Sequence, residues 1–270
     1  MRKSSQVVFI TGATSGIGRC CAVYLHQRGH RVYGAGRGVQ QEHEFDFQAL
    51  RMDVNEETSV QQAVNHVLER EGRLDVLINS AGIAASGAAE EVPDEAARQV
   101  MQTNFWGAHR MCRMVLPGMR QRKQGLIVNI SSIGGLVAIP FQAFYSAAKF
   151  ALEGYTESLR MEVAPWNIHV VLVEPGNFKT AITQNRKCYS DRSSPYRHRL
   201  ERAEDVMASD EQSAPEPEAV ARLVERLMHS RKPRLRYRCG RFLDTLAPTV
   251  KTWLPQSWFQ KIIQSYYDRE

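Results

Sequence analysis

The 270-residue sequence lacks several features that define whole classes of protein. It has an odd number of cysteines and no C-x-x-C pair, the five being Cys20, Cys21, Cys112, Cys188 and Cys239. This pattern excludes a disulfide framework and the usual zinc-site spacing, so we expect reduced thiols, no metal and a cytoplasmic protein. No stretch of about 18 apolar residues occurs, which excludes a membrane-spanning helix.

The first residues of the sequence show no pattern typical of a secretory signal peptide. Residues 1–6 lead directly into a strand and a glycine-rich turn, with no apolar segment that ends in small residues. A secretory signal peptide is therefore not expected. Internal repeats and low-complexity tracts are absent as well, so a repeat architecture is not expected either.

The composition is typical of a folded protein with a sizeable core. Hydrophobic residues make up 43% of the chain and charged residues 24%. The net charge of +6 is modest, and a scattered positive surface is its simplest interpretation. An anionic cofactor or a membrane surface would also suit it.

Short apolar runs alternate with segments of helical periodicity. The runs lie near residues 6–10, 31–35, 50, 74–78, 125–130 and 168–173. One helical segment ends near residue 28, and the others lie near 60–68, 95–119, 144–163 and 217–228. This alternation predicts an α/β fold of the Rossmann type, a doubly wound parallel sheet in a single domain.

Two segments depart from the alternation. Residues 184–214 are polar, charged and poor in aliphatics, which predicts a mobile lid over the substrate rather than core. Residues 231–241 contain six basic residues and no acid, and the alternation within them fits an edge strand with arginines outward and Leu235 and Tyr237 inward. We place the dinucleotide-binding and catalytic domain at 1–240 and a helical tail at 241–270.

The tail is rich in large apolar residues, namely Phe242, Leu243, Leu246, Trp253, Leu254, Trp258, Phe259, Ile262 and Ile263. Packing on the same chain or a contact between subunits is the favoured interpretation. Peripheral attachment to an anionic membrane is the alternative. Nucleic-acid binding is not expected, because the basic cluster lacks a recognition helix or a known binding fold.

The first predicted strand delivers glycines into the start of a helix. Residues 11–18 read T-G-A-T-S-G-I-G. Glycines let the backbone turn tightly and approach a pyrophosphate, whose charge then lies at the positive end of the helix. A glycine turn without a ligand is the simpler alternative. The predicted cofactor contacts in this loop are Gly12, Thr14, Ser15, Gly16, Ile17 and Gly18.

A phenol and an amine share one face of a later helix. Tyr145 and Lys149 stand at i and i+4, within about 6 Å at Cβ. A free tyrosine has a pKa near 10, too high for ready proton exchange at neutral pH. A neighbouring lysine cation and a positively charged nicotinamide would lower it, so that the phenol can exchange a proton with substrate.

Four motifs in order carry a resemblance to a known family. They are residues 11–18, Asn79-Ser80-Ala81-Gly82, the Y-x-x-x-K pair, and Pro175 to Thr180. With them the sequence resembles the short-chain dehydrogenase/reductase family to about residue 240, and residues 145–160 are similar to its hydroxysteroid and retinol dehydrogenase branch. The resemblance implies hydride transfer between nicotinamide and a carbonyl or alcohol, and a homodimer or homotetramer.

The resemblance assigns roles to the catalytic residues. Ser132, 13 residues before Tyr145, would orient the substrate carbonyl, with Ser131 ranked second. Asn104 would hold a water linked to Lys149, and Lys149 would also bind the nicotinamide ribose. Tyr145 would transfer the proton.

The resemblance also extends the cofactor site. Asp53 and Val54 match a pair that contacts the adenine ring, and Ser80 replaces the second asparagine of the N-N-A-G motif. The loop after the sixth strand would cover the nicotinamide, with Thr180 bonding its carboxamide. The further cofactor contacts are therefore Asp53, Val54, Asn79, Ala81, Gly82, Tyr145, Lys149, Pro175, Gly176, Phe178 and Thr180.

The end of the second strand bears on the choice of dinucleotide. NAD enzymes normally carry an acid there that binds the ribose 2′-hydroxyl. Here Gly36 takes that position and Arg37 follows it. A guanidinium can hold a 2′-phosphate through paired N–H donors, so NADP(H) is expected and NAD(H) is the alternative.

The sequence says less about the substrate. Ile133, Leu136, Val137, Ile139, Phe141 and Phe178 are apolar and lie near the catalytic motifs. They would line a pocket for a small lipophilic ketone or aldehyde, or they would simply pack in the core. A dinucleotide-sensing regulator without redox chemistry and an enzyme of epimerisation or dehydration are the alternatives on the same fold.

Overall fold

The chain was analysed as a computed structural model, which describes residues 5–41, 45–180, 186–191 and 193–268. Its main sheet consists of β1 (Val7–Thr11), β2 (Arg31–Gly36), β3 (Gln48–Arg51), β4 (Val76–Asn79), β6 (Gly125–Ile130), β7 (Ile168–Pro175) and β9 (Arg236–Cys239). These seven strands are all parallel, in the order β3-β2-β1-β4-β6-β7-β9. A second sheet pairs two short strands, β5 (Ala85–Gly87) and β8 (Lys187–Tyr189).

The α-helices of the described residues are α1 (Gly16–Gln27), α2 (Glu57–Glu71), α3 (Asp94–Met101), α4 (Gly107–Arg122), α5 (Ala143–Val163), α6 (Arg197–Gln212), α7 (Glu218–Met228), α8 (Phe242–Trp253) and α9 (Gln256–Tyr267). A π-helical turn (Gln102–Trp106) joins α3 to α4. Short 3-10 turns follow β6 and α5.

The core lies on both faces of the main sheet, because successive residues of a strand point to opposite sides. Val8 and Ile10 of β1 pack in a cluster with α1 and α7. Val7 and Phe9 pack in a second cluster with α2, α4 and α5. The predicted Rossmann-type doubly wound fold is confirmed, as one domain with a helical tail.

The strand order places a crevice at the carboxyl ends of β1 and β4. Thr11 pairs with Ala35 on one side and with Asn79 on the other, and Asn79 pairs in turn with Asn129. The direction of winding reverses between β1 and β4, which is where open α/β sheets bind ligands. The glycine loop and residues 79–82 therefore meet at this edge.

The structure divides the helix predicted at 95–119. A π-helical turn separates α3 from α4, and its Asn104 is 1% exposed. The Asn104 side chain accepts the N–H of Ile83 at 2.8 Å and donates to the Ile83 carbonyl at 2.9 Å. Single π turns inside helices are frequent at functional sites, and hydrophobic periodicity does not reveal them.

The segment predicted as a mobile lid contains an ordered helix. Residues 184, 185 and 192 of that segment lie outside the described residues, whereas α6 buries Leu200, Ala203, Val206 and Met207. These few apolar residues recur at helical spacing, a signal that the low aliphatic content concealed. The expectation that the segment contributes nothing to the core is corrected, and its function as a lid stays a prediction.

The tail packs on the domain through one side only. Phe259 is 5% exposed, and Lys251 Nζ donates to the Leu136 carbonyl at 2.6 Å. Other apolar side chains of α8 and α9 face outward, among them Phe242, Leu243, Trp253, Trp258 and Ile262, which are 52–84% exposed. Within the described ranges, no helix combines the length and the apolar character that crossing a membrane would require.

Candidate active site

The glycine loop is held against the neighbouring strand end. Gly12 has a φ of +68°, and a Cβ at this position would lie 2.8 Å from the Cα of Ala81. A Cβ at Gly18 would lie 2.3 Å from the Gly12 carbonyl oxygen. Thr11 Oγ1 accepts the N–H groups of Ser80 and Ala81, each at 3.0 Å. Only glycine fits at positions 12 and 18. Thr11 holds the loop against residues 80 and 81, a role that the sequence analysis did not assign to it.

Helix α1 begins at this loop without a side-chain cap. Ser15, the residue before the helix, is extended and its hydroxyl makes no capping hydrogen bond. The first N–H groups of a helix have no partner within the helix and carry its positive partial charge. The loop therefore offers a binding position for a phosphate group.

The loop opens on a cleft of about 540 Å³ at the carboxyl edge of the sheet. Its walls include most of the predicted cofactor contacts, namely Gly12, Thr14, Ser15, Gly16, Ile17, Gly18, Arg37, Asp53, Val54, Ala81, Gly82, Tyr145, Lys149 and Thr180. The size of the cleft, the tight glycine cradle and the open helix end all fit a nicotinamide dinucleotide.

Four predicted cofactor contacts do not line this cleft. The Asn79 side chain turns into the interior, where its Nδ2 donates to Asn129 Oδ1 at 2.8 Å and links β4 to β6. Pro175, Gly176 and Phe178 line an adjacent cavity of about 120 Å³. The structure thus gives Asn79 a bracing role through its side chain, and it places the other three on the substrate side of Tyr145.

The end of β2 has no room for a side chain. A Cβ at Gly36 would lie 2.7 Å from Thr14 Cγ2, so an acid at this position would have to push the Thr14 side chain aside. Arg37 is exposed and lines the cleft. Among the described residues it has no hydrogen-bond or ion-pair partner, so its guanidinium is available to a ligand.

Tyr145 and Lys149 project from the first turns of α5 into the cleft. Lys149 is 5% exposed, and its Nζ donates to the Ile130 carbonyl at the end of β6, at 2.9 Å. Nζ also lies 5.8 Å from the centre of the Tyr145 ring. The two side chains therefore lie close together, and the amine donates to the Ile130 carbonyl.

Burial dominates the electrostatics of the pair. It raises the pKa of Tyr145, against the lowering effects of the hydrogen bond to Ser132 and of the Arg186 charge. It also lowers the pKa of Lys149 to about 8, which Glu153 opposes. The prediction that the lysine makes the phenol acidic is corrected for the protein alone, because Lys149 points to Ile130.

Ser132 lies beside Tyr145 in the adjacent cavity. Its Oγ accepts the Gly134 N–H at 2.9 Å, which fixes the hydroxyl at the start of the 3-10 turn. Ser131 is buried and lines both the dinucleotide cleft and this cavity. The hydrogen bond to Tyr145 involves Ser132, and the ranking of Ser132 before Ser131 stays a prediction.

A third cavity of about 570 Å³ extends from Ser132 to the tail. Its walls are mostly apolar, including Ile133, Val137 and Ile139 together with Leu243, Leu246, Ala247, Val250, Phe259, Ile262 and Ile263 of α8 and α9. Of the apolar residues weighed as pocket or core, Leu136 and Phe141 do not line this cavity, and Phe178 belongs to both the small cavity and the core. We name this third cavity the tail groove.

The tail is tied to the loop after β7. Asp244 of α8 accepts the Asn177 N–H through Oδ2 at 3.1 Å. A Cβ at Gly176 would lie 2.6 Å from the Cβ of Asp244, so the two backbones approach as closely as glycine allows. The helix that walls the groove therefore also positions a loop of the site.

Of the β9 arginines predicted to face outward, Arg238 is exposed, whereas Arg236 is half-buried among acids. Arg236 Nε lies 3.1 Å from Glu153 Oε2 and 3.1 Å from Glu174 Oε1, and Arg238 Nε lies 3.3 Å from Glu174 Oε2. Glu174 is fully buried, and burial together with Glu153 raises its pKa to about 7. The basic cluster is explained in part by acids that are distant in sequence.

The comparison with known families identifies the chain. The model of the short chain dehydrogenases matches residues 6–189. The chain therefore belongs to the short-chain dehydrogenase/reductase family. It is an oxidoreductase enzyme of that family with a small-molecule substrate and an NAD(P) cofactor.

Two curated relatives match most of the chain. A 3-ketodihydrosphingosine reductase of Bacteroides thetaiotaomicron is 39% identical over 264 residues, which cover 97% of this chain and 98% of the relative. Dehydrogenase/reductase SDR family member 7B of Xenopus tropicalis is 33% identical, with 90% of this chain and 82% of the relative covered.

Solved structures agree with the fold. A short-chain dehydrogenase of Streptomyces avermitilis superimposes with a TM-score of 0.84 at 30% identity, over 97% of this chain and 98% of that one. ElxO with NADP bound gives a TM-score of 0.63 at 31% identity, over 67% of this chain and 77% of that one. A Burkholderia phymatum reductase in complex with NAD shares the fold at 22% identity, with a TM-score of 0.79 over 97% and 96% of the chains.

Proposed function

We propose that the enzyme uses NADP(H) to interconvert a ketone or aldehyde and its alcohol on a long-chain lipophilic substrate. One observation carries the proposal, the continuity of the three cavities. Tyr145 lines both the dinucleotide cleft and the small cavity, and Ser132 lines both the small cavity and the tail groove. A carbonyl held at Ser132 thus lies between a cofactor site and an apolar channel.

The residues around the carbonyl supply the proton chemistry. NADP(H), when bound, supplies the hydride that adds to the carbonyl carbon. Tyr145 transfers its phenolic proton to the carbonyl oxygen as negative charge develops there, and Ser132 donates a hydrogen bond to the same oxygen. Lys149, whose Nζ donates to the Ile130 carbonyl, is the proposed contact to the nicotinamide ribose, and Asn104 is the proposed holder of a water that returns the proton. The reverse sequence oxidises the alcohol.

The proposed preference for NADP(H) over NAD(H) rests on the end of β2. A 2′-phosphate on the adenosine ribose meets no carboxylate at Gly36 and has the guanidinium of Arg37 within the same cleft. Arg37 has no partner among the described residues that would have to be displaced.

The proposed substrate class rests on the tail groove and on one relative. The groove offers an apolar wall that leads away from Ser132, which suits an extended hydrocarbon chain. The relative at 39% identity is named for the reduction of 3-ketodihydrosphingosine, a long-chain ketone. We therefore propose a long-chain 3-ketone of the sphingoid type, reduced at its carbonyl.

We further propose a homodimer or homotetramer in the cytoplasm. The exposed apolar residues of α8 and α9 form a surface of the kind that proteins usually cover. Helix α8 carries one acid and one base, and α9 carries one base. Helices that bind anionic membranes are richer in basic residues, so a second copy of this chain is the proposed cover.

The proposal is tested by NADPH oxidation with a long-chain 3-ketone and with a short-chain ketone as comparison. We expect the purified enzyme to reduce the long-chain ketone with the higher kcat/KM. Tyr145→Phe removes the proton donor and should lower kcat by at least about 100-fold, with NADPH binding unchanged. Turnover of the Tyr145→Phe enzyme at the normal rate would contradict the mechanism, and failure of every carbonyl would contradict the function.

A further inference from the structure

An ion pair forms part of the small cavity that contains Ser132 and Tyr145. Arg186 Nη2 lies 2.7 Å from Glu211 Oε1, and the two side chains are only 7% and 12% exposed. Their charges act on the catalytic phenol, since Arg186 lowers the pKa of Tyr145 and Glu211 raises it. The pair thus lies beside the reacting carbonyl of the proposed mechanism, which assigns it no role.

The hydrogen-bonding capacity of this pair is only partly used. Glu211 Oε2 and Arg186 Nε are buried, and neither has a hydrogen-bond partner in the described structure. A buried charged atom without a partner is costly, and burial raises the pKa of Glu211 against the influence of Arg186. A further hydrogen-bond donor, best a cation, would complete the coordination of Glu211.

The other walls of the cavity restrict what can enter. Phe178, Ile139, Pro175 and Met207 are apolar, and the Gln142 amide is already bonded to the Met207 sulfur. Asn177, Thr180 and Tyr267 add polar groups to the walls, but among the described residues that line the cavity Glu211 is the one acid, so a cationic substituent on the substrate would meet it. The small size of the cavity, about 120 Å³, requires that this substituent lie within a few bonds of the carbonyl.

We propose that Glu211 recognises an ammonium group on the carbon next to the reacting carbonyl, with Arg186 holding the carboxylate in position. This inference rests on the proposed function, whose sphingoid ketone carries a 2-amino group, and assigns the recognition of that group to Glu211. The carbonyl binds at Ser132, the chain follows the tail groove, and the ammonium donates to Glu211 Oε2. Glu211 is then a specificity residue that binds substrate without taking part in proton transfer.

The test compares two long-chain 3-ketones that differ only in the 2-amino group. We expect the wild-type enzyme to favour the amino ketone by about 10-fold or more in kcat/KM. Glu211→Gln keeps the shape and removes the charge, and it should lower kcat/KM for the amino ketone by about 10- to 100-fold, mainly through KM. The amine-free ketone should change by less than about 3-fold.

A matched control and a folding check accompany the variant. Glu218→Gln alters an exposed acid of α7 that pairs with Arg222, and it should leave both substrates unaffected. NADPH binding by the Glu211→Gln enzyme, measured by fluorescence, reports whether the cofactor site is intact.

The outcomes separate this inference from the proposed function. If the wild type reduces both ketones equally well, or if Glu211→Gln lowers kcat/KM for both ketones to the same degree, the inference is wrong. The proposed ketone reductase activity is not affected by either result. If the wild type reduces neither ketone, the proposed function itself fails.

Discussion

In the proposed function, Arg37 is the side chain that favours NADP(H) over NAD(H), two cofactors that differ by one phosphate. Arg37→Asp replaces the guanidinium by a carboxylate that repels a 2′-phosphate and accepts from a 2′-hydroxyl. We expect NADPH to bind about 10- to 100-fold more weakly and NADH to become the preferred cofactor. Fluorescence titration of both reduced dinucleotides measures the change.

The control for this substitution is Arg222→Asp, an exposed arginine of α7 that lies outside the cleft. It should leave both affinities as they are. Equal affinities for NADPH and NADH in the wild type would show that Arg37 does not discriminate between them.

Single residues were also the part of the site that the sequence predicted best. Gly12, Gly18, Tyr145 and Lys149 belong to short motifs whose spacing is enough to bring them together. The orientation of Lys149 toward Ile130 was not predictable, because it depends on the end of a strand from another part of the chain.

Among the elements, β7, β9 and α5 bring two acids, Glu153 and Glu174, close to Arg236. The raised pKa of Glu174, to about 7, means that the folded protein holds this proton more tightly than the unfolded chain does. Its contribution to stability is therefore fully present below about pH 4.5 and is lost as the pH rises through about 7.

Glu174→Gln should remove this pH dependence. Relative to wild type, the free energy of unfolding of the variant should increase between pH 5 and 8, by up to about 3 kcal/mol. Urea denaturation at several pH values measures it, with Glu201→Gln, an exposed acid of α6, as the control. Parallel curves for Glu174→Gln and wild type would contradict the assignment.

Strands and most helices followed from periodicity, whereas three features of the elements did not. The π turn that contains Asn104 leaves the spacing of the apolar residues in the sequence unchanged, so periodicity does not reveal it. The sparse apolar residues of α6 resembled a loop. The β9 arginines were expected to face water because their partner acids, Glu153 and Glu174, lie more than sixty residues earlier in the chain.

At the scale of the whole molecule, the exposed side of α8 and α9 predicts assembly. Analytical ultracentrifugation should give two or four times the mass of one chain, with no sedimentation on anionic vesicles. Trp253→Ser combined with Trp258→Ser alters two residues that are 84% and 66% exposed, and it should shift the equilibrium toward monomer. Vesicle binding by a monomeric wild type would favour the membrane instead.

The fold of the whole chain was predictable because every βα unit repeats the same local pattern. The substrate side was not, since it is built from segments that meet only in three dimensions: the turn after β6, the loop after β7, α6 and the tail. The apolar residues near Ser132 could have been pocket or core until the tail helices were seen to face them.

The hydrogen bond between Asp244 and the Asn177 N–H connects the C-terminal helices to the loop after β7, which lies at the active site. Exchange of the last two helices between related enzymes would therefore change the wall of the tail groove and, through Asp244, the position of the loop after β7 at the same time.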